Sequence, residues 1–208
     1  SAAILGIAII QNLYGNAGMA PLMIIASVPL YNVMAVVILS IFKPGQGKLN
    51  GVVLKRTLKG IITNPIILGI AAGTLWSLLR LPFPKILDST VGNLAKTATP
   101  LGLMAMGGSL RFGKAFSRLK ASVACTFMKL VGYEALFLPL AIRCGFTQDK
   151  LVSIIMMLGS ASTVTCFVMA KNMDHEGSFS SGVVLLTTVF SAFTLTLWLF
   201  ICKNLGLI

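Results

Sequence analysis

The chain has 208 residues, of which 56% are hydrophobic and 11% charged, and its formal net charge is +12. Its mean hydropathy of +0.92 excludes an ordinary soluble domain and predicts an integral membrane protein. The basic residues collect in short loops between apolar segments, which argues against a nucleic acid partner and is expected from the positive-inside rule.

The N-terminal part contains one short and one long apolar segment. Residues 1–14 are shorter than the roughly 20 residues of a spanning helix, so we predict a half-helix or the end of a longer one. After a glycine-rich turn, residues 19–42 are long enough to span. Residues 43–59 then hold five basic residues and no acid. We therefore predict three regions: 1–42, a basic linker at 43–60, and 61–208.

Three further spans are predicted at 63–79, 93–110 and 119–142. The second contains Pro100, with Thr97 and Thr99 just before it. The third carries Lys129 and Glu134 near its middle, and each would cost roughly 2.5–3.5 kcal/mol if it faced lipid. Both side chains must therefore face protein or water. Because their positions differ by five, they lie well apart around an α-helix, and we expect them to meet different partners.

Residues 151–177 form an apolar segment with a weak middle. From Gly159 to Thr165 the residues are small or polar apart from Val164, and they hold a helix less firmly than the Leu and Met before them. Loose backbone persists at membrane depth where it is buried in protein or lines a wet cavity. The run therefore indicates either a broken helix that meets a solute or a small-residue packing seam between helices. Both interpretations are open at this point.

The last span is predicted at 179–201, after a loop with Asp174, His175 and Glu176. Three consecutive residues of a short turn point in different directions, so we favour a solvated loop over a metal site. The loops at 43–59 and 111–120 are the most basic, although the loop at 171–176 is net acidic. We therefore place the basic linker in the cytoplasm and the C-terminus outside, with the chain in the plasma (inner) membrane.

The beginning and the end of the chain share an architecture. Aligning Ala8 with Ala161 sets GIAIIQNLYGNAG beside SASTVTCFVMAKN and brings the two long spans that follow into register. The identity of the match is low. The chain would then contain two helices of one repeat, a linker and five helices of a second repeat. The two repeats would have opposite orientations in the membrane, which is the inverted repeat of many secondary transporters.

Several stretches resemble the auxin efflux carrier family, which includes plant auxin exporters and bacterial carriers proposed for malate and malonate. They are ILGIAIIQNLYG, NPIILGIAAG, LAKTATPLGLMAMGGSL, GSASTVTCFVMAKNM and the Thr-rich last helix. The resemblance implies ten helices in two inverted repeats, each with a broken fourth helix, so that three N-terminal helices are absent here. The family has a proline at each break, and this chain has Ala8 and Ala161 instead.

We therefore predict an all-α integral membrane protein with an inverted-repeat transporter fold and broken crossover helices, N-terminally truncated. Its function would be secondary transport of a small organic anion such as malate, malonate or an auxin-like carboxylate, by alternating access. Broken helices direct unpaired N–H groups and partial positive charge into the membrane, which suits a carboxylate. Glu134 is the candidate coupling group. The predicted solute contacts are Gly6, Ala8, Thr97, Thr99, Pro100, Lys129, Gly159, Ser160, Ala161, Ser162 and Thr163.

Two other classes of membrane protein are alternatives. A seven-helix receptor that binds a ligand without transport would also have seven apolar segments. It would need seven full spans and a signalling face, whereas the first segment is short and no loop is large. A membrane enzyme is not expected, because the sequence has no HExxH or GxSxG motif and its one His lies in a loop. The expected partners are the anion and the lipid bilayer, with a homodimer as a further candidate, and no metal or cofactor is expected.

Overall fold

The computed structural model describes residues 2–42, 55, 59–60, 62–63, 65–80, 82, 84–109 and 118–208. Most of the predicted linker at 43–60, together with Arg111 and Lys114 of the second basic loop, lies outside these residues. Within the described residues the secondary structure consists of helices joined by turns. This confirms the predicted all-α membrane class.

The helices are numbered in chain order. They are α1 (Ala2–Tyr14), α2 (Ala20–Ile41), α3 (Pro65–Leu78), α4 (Lys85–Ser109), α5 (Leu119–Phe127), α6 (Tyr133–Arg143), α7 (Gln148–Gly159), α8 (Val164–Asn172) and α9 (Ser178–Asn204). A π-helical turn, Met128–Gly132, joins α5 to α6. α4 begins eight residues before the predicted span at 93, and Asp88 in its first turn is favourable beside the positive end of the helix dipole.

Three stretches of the described residues are long and apolar enough to cross a bilayer. They are Ala20–Ile41, Leu119–Arg143 and Ser178–Asn204, and α7 with α8 forms a fourth if the pair counts as one broken span. Leu5–Tyr14 and Ile67–Leu78 are shorter apolar helices. Large apolar side chains such as Ile25 and Phe193 are each 71% exposed. Lipid can cover such side chains in a multi-pass membrane protein, where helices associate by close packing and not by exclusion of water.

The chain divides into two compact units. The first falls within residues 1–27, 111–163 and 178–208, and the second within residues 28–110 and 164–177. This grouping does not test the predicted repeats, which stay a prediction. In the first unit α7 is the central helix and packs against α1, α6 and α9. Its Ile155 is fully buried in a cluster with Ile10 of α1, Leu138 of α6 and Leu195 of α9.

Three connections meet at one end of the first unit. The carboxylate of Asp149, in the first turn of α7, accepts the backbone N–H of Met19 at 3.1 Å, just before α2 begins. The backbone N–H of Gln148 donates to the Leu207 carbonyl at 2.8 Å. The turn before α2, the loop before α7 and the C-terminal residues therefore lie together, as the predicted alternation of spans requires. Which side of the membrane this end faces stays a prediction.

The second unit joins α4 to α8. Gly102 lets α4 approach the start of α8, since a Cβ at this position would lie 2.9 Å from Cγ1 of Val164. The loop after α8 contacts the end of α2, where Nε2 of the half-buried His175 lies 2.9 Å from the Leu39 carbonyl oxygen. His175 thus contacts backbone and is less solvated than the sequence predicted.

Candidate functional site

The predicted break in the sixth apolar segment is present. α7 ends at Gly159, α8 begins at Val164, and the residues between them are not helical. Ser160 turns the chain out of the helix with φ −69° and ψ 155°, and it is 2% exposed. A helix that stops inside an apolar span leaves backbone N–H and C=O groups without partners from the helix itself. These groups must be satisfied by side chains, by water or by a solute.

Thr187 of α9 satisfies one of these groups. Its hydroxyl accepts the backbone N–H of Ser162 at 3.0 Å and donates to the Val183 carbonyl of its own helix at 2.7 Å. Thr187 is 0% exposed, so this bond is shielded from competing water. The Thr-rich character of the last helix was visible in the sequence, but the threonine that supports the break could not be identified from it.

Lys129 satisfies a second group. Its Nζ donates to the backbone carbonyl of Leu158 at 3.3 Å, at the C-terminal end of α7. The last carbonyls of a helix carry partial negative charge, which favours a cation at this position. A predicted solute contact is therefore located at the break, where its positive charge also acts as a helix cap.

Glu134 of α6 packs directly against Gly159. A Cβ built on Gly159 would overlap Oε1 of Glu134 and would lie 3.0 Å from Cδ2 of Leu195. Glu134 is 0% exposed, and neither of its carboxylate oxygens has a hydrogen-bond partner among the described residues. Because Gly159 has no side chain, the buried carboxyl group of Glu134 can contact the backbone at the end of α7.

Lys129 and Glu134 contact different residues, as expected, but these residues are neighbours at the break, so the two side chains do not lie well apart as the helical spacing predicted. In a regular α-helix residues five apart are separated by about 140° around the axis. The π-turn that holds Lys129 is closed by an i to i+5 hydrogen bond from the Tyr133 N–H to the Met128 carbonyl, which brings residues five apart close together. Lys129 therefore contacts Leu158, Glu134 contacts its neighbour Gly159, and the two side chains interact electrostatically.

Trp198 of α9 supports the same π-turn. Its indole Nε1–H donates to the Leu130 carbonyl at 3.2 Å. A π-turn changes the regular hydrogen-bond ladder and leaves a backbone group that needs another partner. α9 thus contacts both elements of the candidate site, through Trp198 at the π-turn and through Thr187 at the break.

The second predicted break, near Ala8, is not found. α1 is continuous from Ala2 to Tyr14. Ala8 is a strong helix former and, unlike proline, keeps its backbone N–H, so nothing in this sequence interrupts the helix there. Gly6 is buried, and a Cβ on it would lie 3.3 Å from Cβ of Met156 in α7, whereas Ala8 is exposed. Gly6 therefore acts as a close-packing position, and solute contact by Gly6 or Ala8 stays a prediction.

The other predicted contacts lie on α4 in the second unit. Thr97 and Pro100 are exposed, and the Thr97 hydroxyl donates to the Leu94 carbonyl of its own helix at 2.8 Å. The side chain of Thr99 lies outside the described part of the structure. These three residues belong to a different unit from the break, and their contact with a common solute stays a prediction.

Comparison with known proteins gives two matches and one negative result. A family model described as membrane transport protein matches residues 1–199. A putative malonate transporter of Rhizobium meliloti (strain 1021) is 26% identical over 162 residues, which cover 77% of this chain and 50% of that protein. The chain thus spans about half the length of this curated relative. No solved structure matches the chain.

Proposed function

Because the chain belongs to the membrane transport protein family, we propose that the protein is a secondary carrier for a small organic anion. The relative described as a putative malonate transporter supports a carboxylate as the solute. The observation on which the proposal rests is the interruption of an apolar span between Gly159 and Val164, with the Lys129 ammonium bonded at its edge. Transport would proceed by alternating access, with one bundle of helices shifting against the bundle that contains the break.

The break has donors that suit a carboxylate. The Ser162 N–H is already bonded to Thr187, whereas the small side chains at Ala161 and Thr163 allow close approach of a solute to the backbone. The hydroxyl groups of Ser160, Ser162 and Thr163 would add side-chain donors. Lys129 would supply the compensating positive charge, because a carboxylate without a charged or hydrogen-bonding partner is costly to bury.

The other predicted contacts and the predicted membrane placement belong to the same proposal. Gly6 and Ala8 would face the break from α1, and Thr97, Thr99 and Pro100 would contact the solute from α4. The protein would lie in the plasma (inner) membrane with its basic linker in the cytoplasm and its C-terminus outside, as the distribution of Lys and Arg suggests. A homodimer stays a prediction.

Counterflow in lipid vesicles tests this function. Vesicles that contain the full-length protein and are loaded with unlabelled malonate should take up labelled malonate faster than vesicles without protein, and malate and indole acetate should be tested in parallel. Lys129→Gln should slow this exchange at least tenfold, whereas the exposed Lys203→Gln should leave it unchanged. Equal uptake with and without protein for all three anions would refute the proposal. Binding of an anion without counterflow would favour the receptor alternative.

A further inference from the structure

Glu134 is a buried acid whose role is not explained by packing. It has no exposed surface, its two carboxylate oxygens lack hydrogen-bond partners in the described part of the chain, and its side chain touches Gly159 at the helix break. A residue that served only to fill space beside Gly159 would be apolar, since an unpaired polar group in such a place costs about 1–3 kcal/mol. We therefore expect the carboxyl group of Glu134 to have a chemical role at the break.

Among the described residues, few charged or titratable groups of the neighbouring elements interact with this acid. Lys129 in the π-turn interacts with it electrostatically, and so does the buried Cys202 thiol of α9. α7 has Asp149 and Lys150 in its first turn, at the opposite end from Gly159. Among the described residues Lys129 is thus the cation that interacts with Glu134, and its Nζ also donates to the Leu158 carbonyl.

The hydrogen-bond partner of Lys129 would depend on the protonation state of Glu134. A charged carboxylate buried without a hydrogen bond costs several kcal/mol, so the arrangement seen here is compatible with a proton on Glu134. If that proton leaves, the carboxylate becomes the stronger partner for the ammonium group, because charge-assisted hydrogen bonds exceed those to a neutral carbonyl. Lys129 would then turn from the break towards Glu134.

We propose that Glu134 is the proton-binding site of the carrier and that its proton controls whether Lys129 is available to an anion at the break. With Glu134 protonated, Lys129 remains at Leu158 and its positive charge attracts the solute carboxylate. With Glu134 ionised, its carboxylate pairs with the Lys129 ammonium, so the pair has no net charge and the anion loses its cationic partner. Proton and anion therefore bind together and cross in the same direction. This inference rests on the proposed carrier function and specifies its coupling.

Transport under a pH gradient tests the coupling. With the membrane potential held at zero, vesicles with the full-length protein should accumulate labelled malonate on the alkaline side, by about tenfold per pH unit if one proton accompanies each solute. Glu134→Gln fixes the neutral form with little change of shape, so it should retain counterflow and lose the accumulation. Glu176→Gln, the same change at an exposed loop position, should retain both. The coupling would be overturned if Glu134→Gln still accumulated malonate, or if the wild-type protein catalysed counterflow but did not accumulate malonate under the pH gradient. Either result would leave the carrier function intact.

A spectroscopic measurement gives an answer that does not depend on transport. Infrared spectra of the protein in lipid should contain a carboxylic acid C=O band at neutral pH, and Glu134→Gln should remove it while Glu176→Gln does not. If wild-type protein lacks such a band, or if Glu134→Gln leaves it unchanged, Glu134 does not hold a proton and the inference is wrong. Failure of counterflow with every anion would refute the carrier function instead, and the infrared result would still decide the state of Glu134.

Discussion

The backbone N–H of Ser162 in the helix break donates to the hydroxyl of Thr187, 3.0 Å away on α9. The last helix thereby replaces a hydrogen bond that the interrupted helix cannot make for itself. Because Thr187 also donates to Val183 of its own helix, its hydroxyl uses both its donor and an acceptor lone pair. The break is therefore held by a specific side chain.

Thr187→Val should destabilise the protein by about 1–3 kcal/mol, since valine has nearly the same shape but removes the partner of the half-buried Ser162 N–H. Thermal unfolding in lipid nanodiscs measures this change. Thr196→Val is the matched control, because Thr196 is exposed and its hydroxyl donates to the Ala192 carbonyl within the same helix. Equal loss of stability in the two variants would contradict the role given to Thr187.

Gly159→Ala should also destabilise the protein, by about 1–3 kcal/mol, because the added methyl group would overlap the Glu134 carboxyl group and press on Leu195. Shortening the acid with Glu134→Asp in the same chain should restore part of the loss. Gly107→Ala on α4 adds a methyl group with nothing within 4 Å and should be tolerated. Unfolding temperatures of the four proteins measure the effect, and a similar cost at both glycines would argue against the contact.

Lys129→Met should reduce stability, because it removes the cation from the Leu158 carbonyl and leaves Glu134 without its charged neighbour. The double variant with Glu134→Gln should lose less than the sum of the single changes, with a coupling energy of about 0.5–3 kcal/mol. Denaturation of all four members of this cycle supplies the coupling energy. Lys203→Met, at an exposed position, should show no coupling with Glu134→Gln. Additive losses for the Lys129 and Glu134 changes would mean that the two side chains act independently.

Gly18→Ala should cost more than Gly15→Ala. Both glycines have positive φ, 50° at Gly18 and 73° at Gly15, so each alanine pays the left-handed penalty of about 1–2 kcal/mol. At Gly18 a Cβ would in addition lie 2.6 Å from Oδ2 of Asp149, whereas at Gly15 it would meet nothing within 4 Å. Comparing the unfolding free energies separates the steric cost from the backbone cost. If the two alanines cost the same, the Asp149 contact does not constrain this turn.

The sequence predicted one break correctly and the other wrongly, for a physical reason. The run from Gly159 to Thr163 combines glycine, serine and threonine, which favour helix ends, and the helix does end there. Ala8 was assigned a break through alignment with Ala161 and resemblance to a family with proline at that point. Ala8 itself is a strong helix former, no proline lies within α1, and the helix is continuous through this position. Local composition was therefore a better guide than position in an alignment.

Composition and hydropathy by themselves determined the membrane class, the approximate limits of the apolar helices and the weak middle of residues 151–177. These features depend on interactions between residues close in the chain and on the transfer of side chains from water to lipid. They also required Lys129 and Glu134 to face away from lipid. Only the tertiary structure decided that Lys129 and Glu134 both meet the break. The π-turn that contains Lys129 is closed by an i to i+5 hydrogen bond, which changes the angle between their side chains, and no local sequence pattern indicated this turn. The choice of Thr187 among several threonines was likewise made by packing, which brings together groups 25 residues apart.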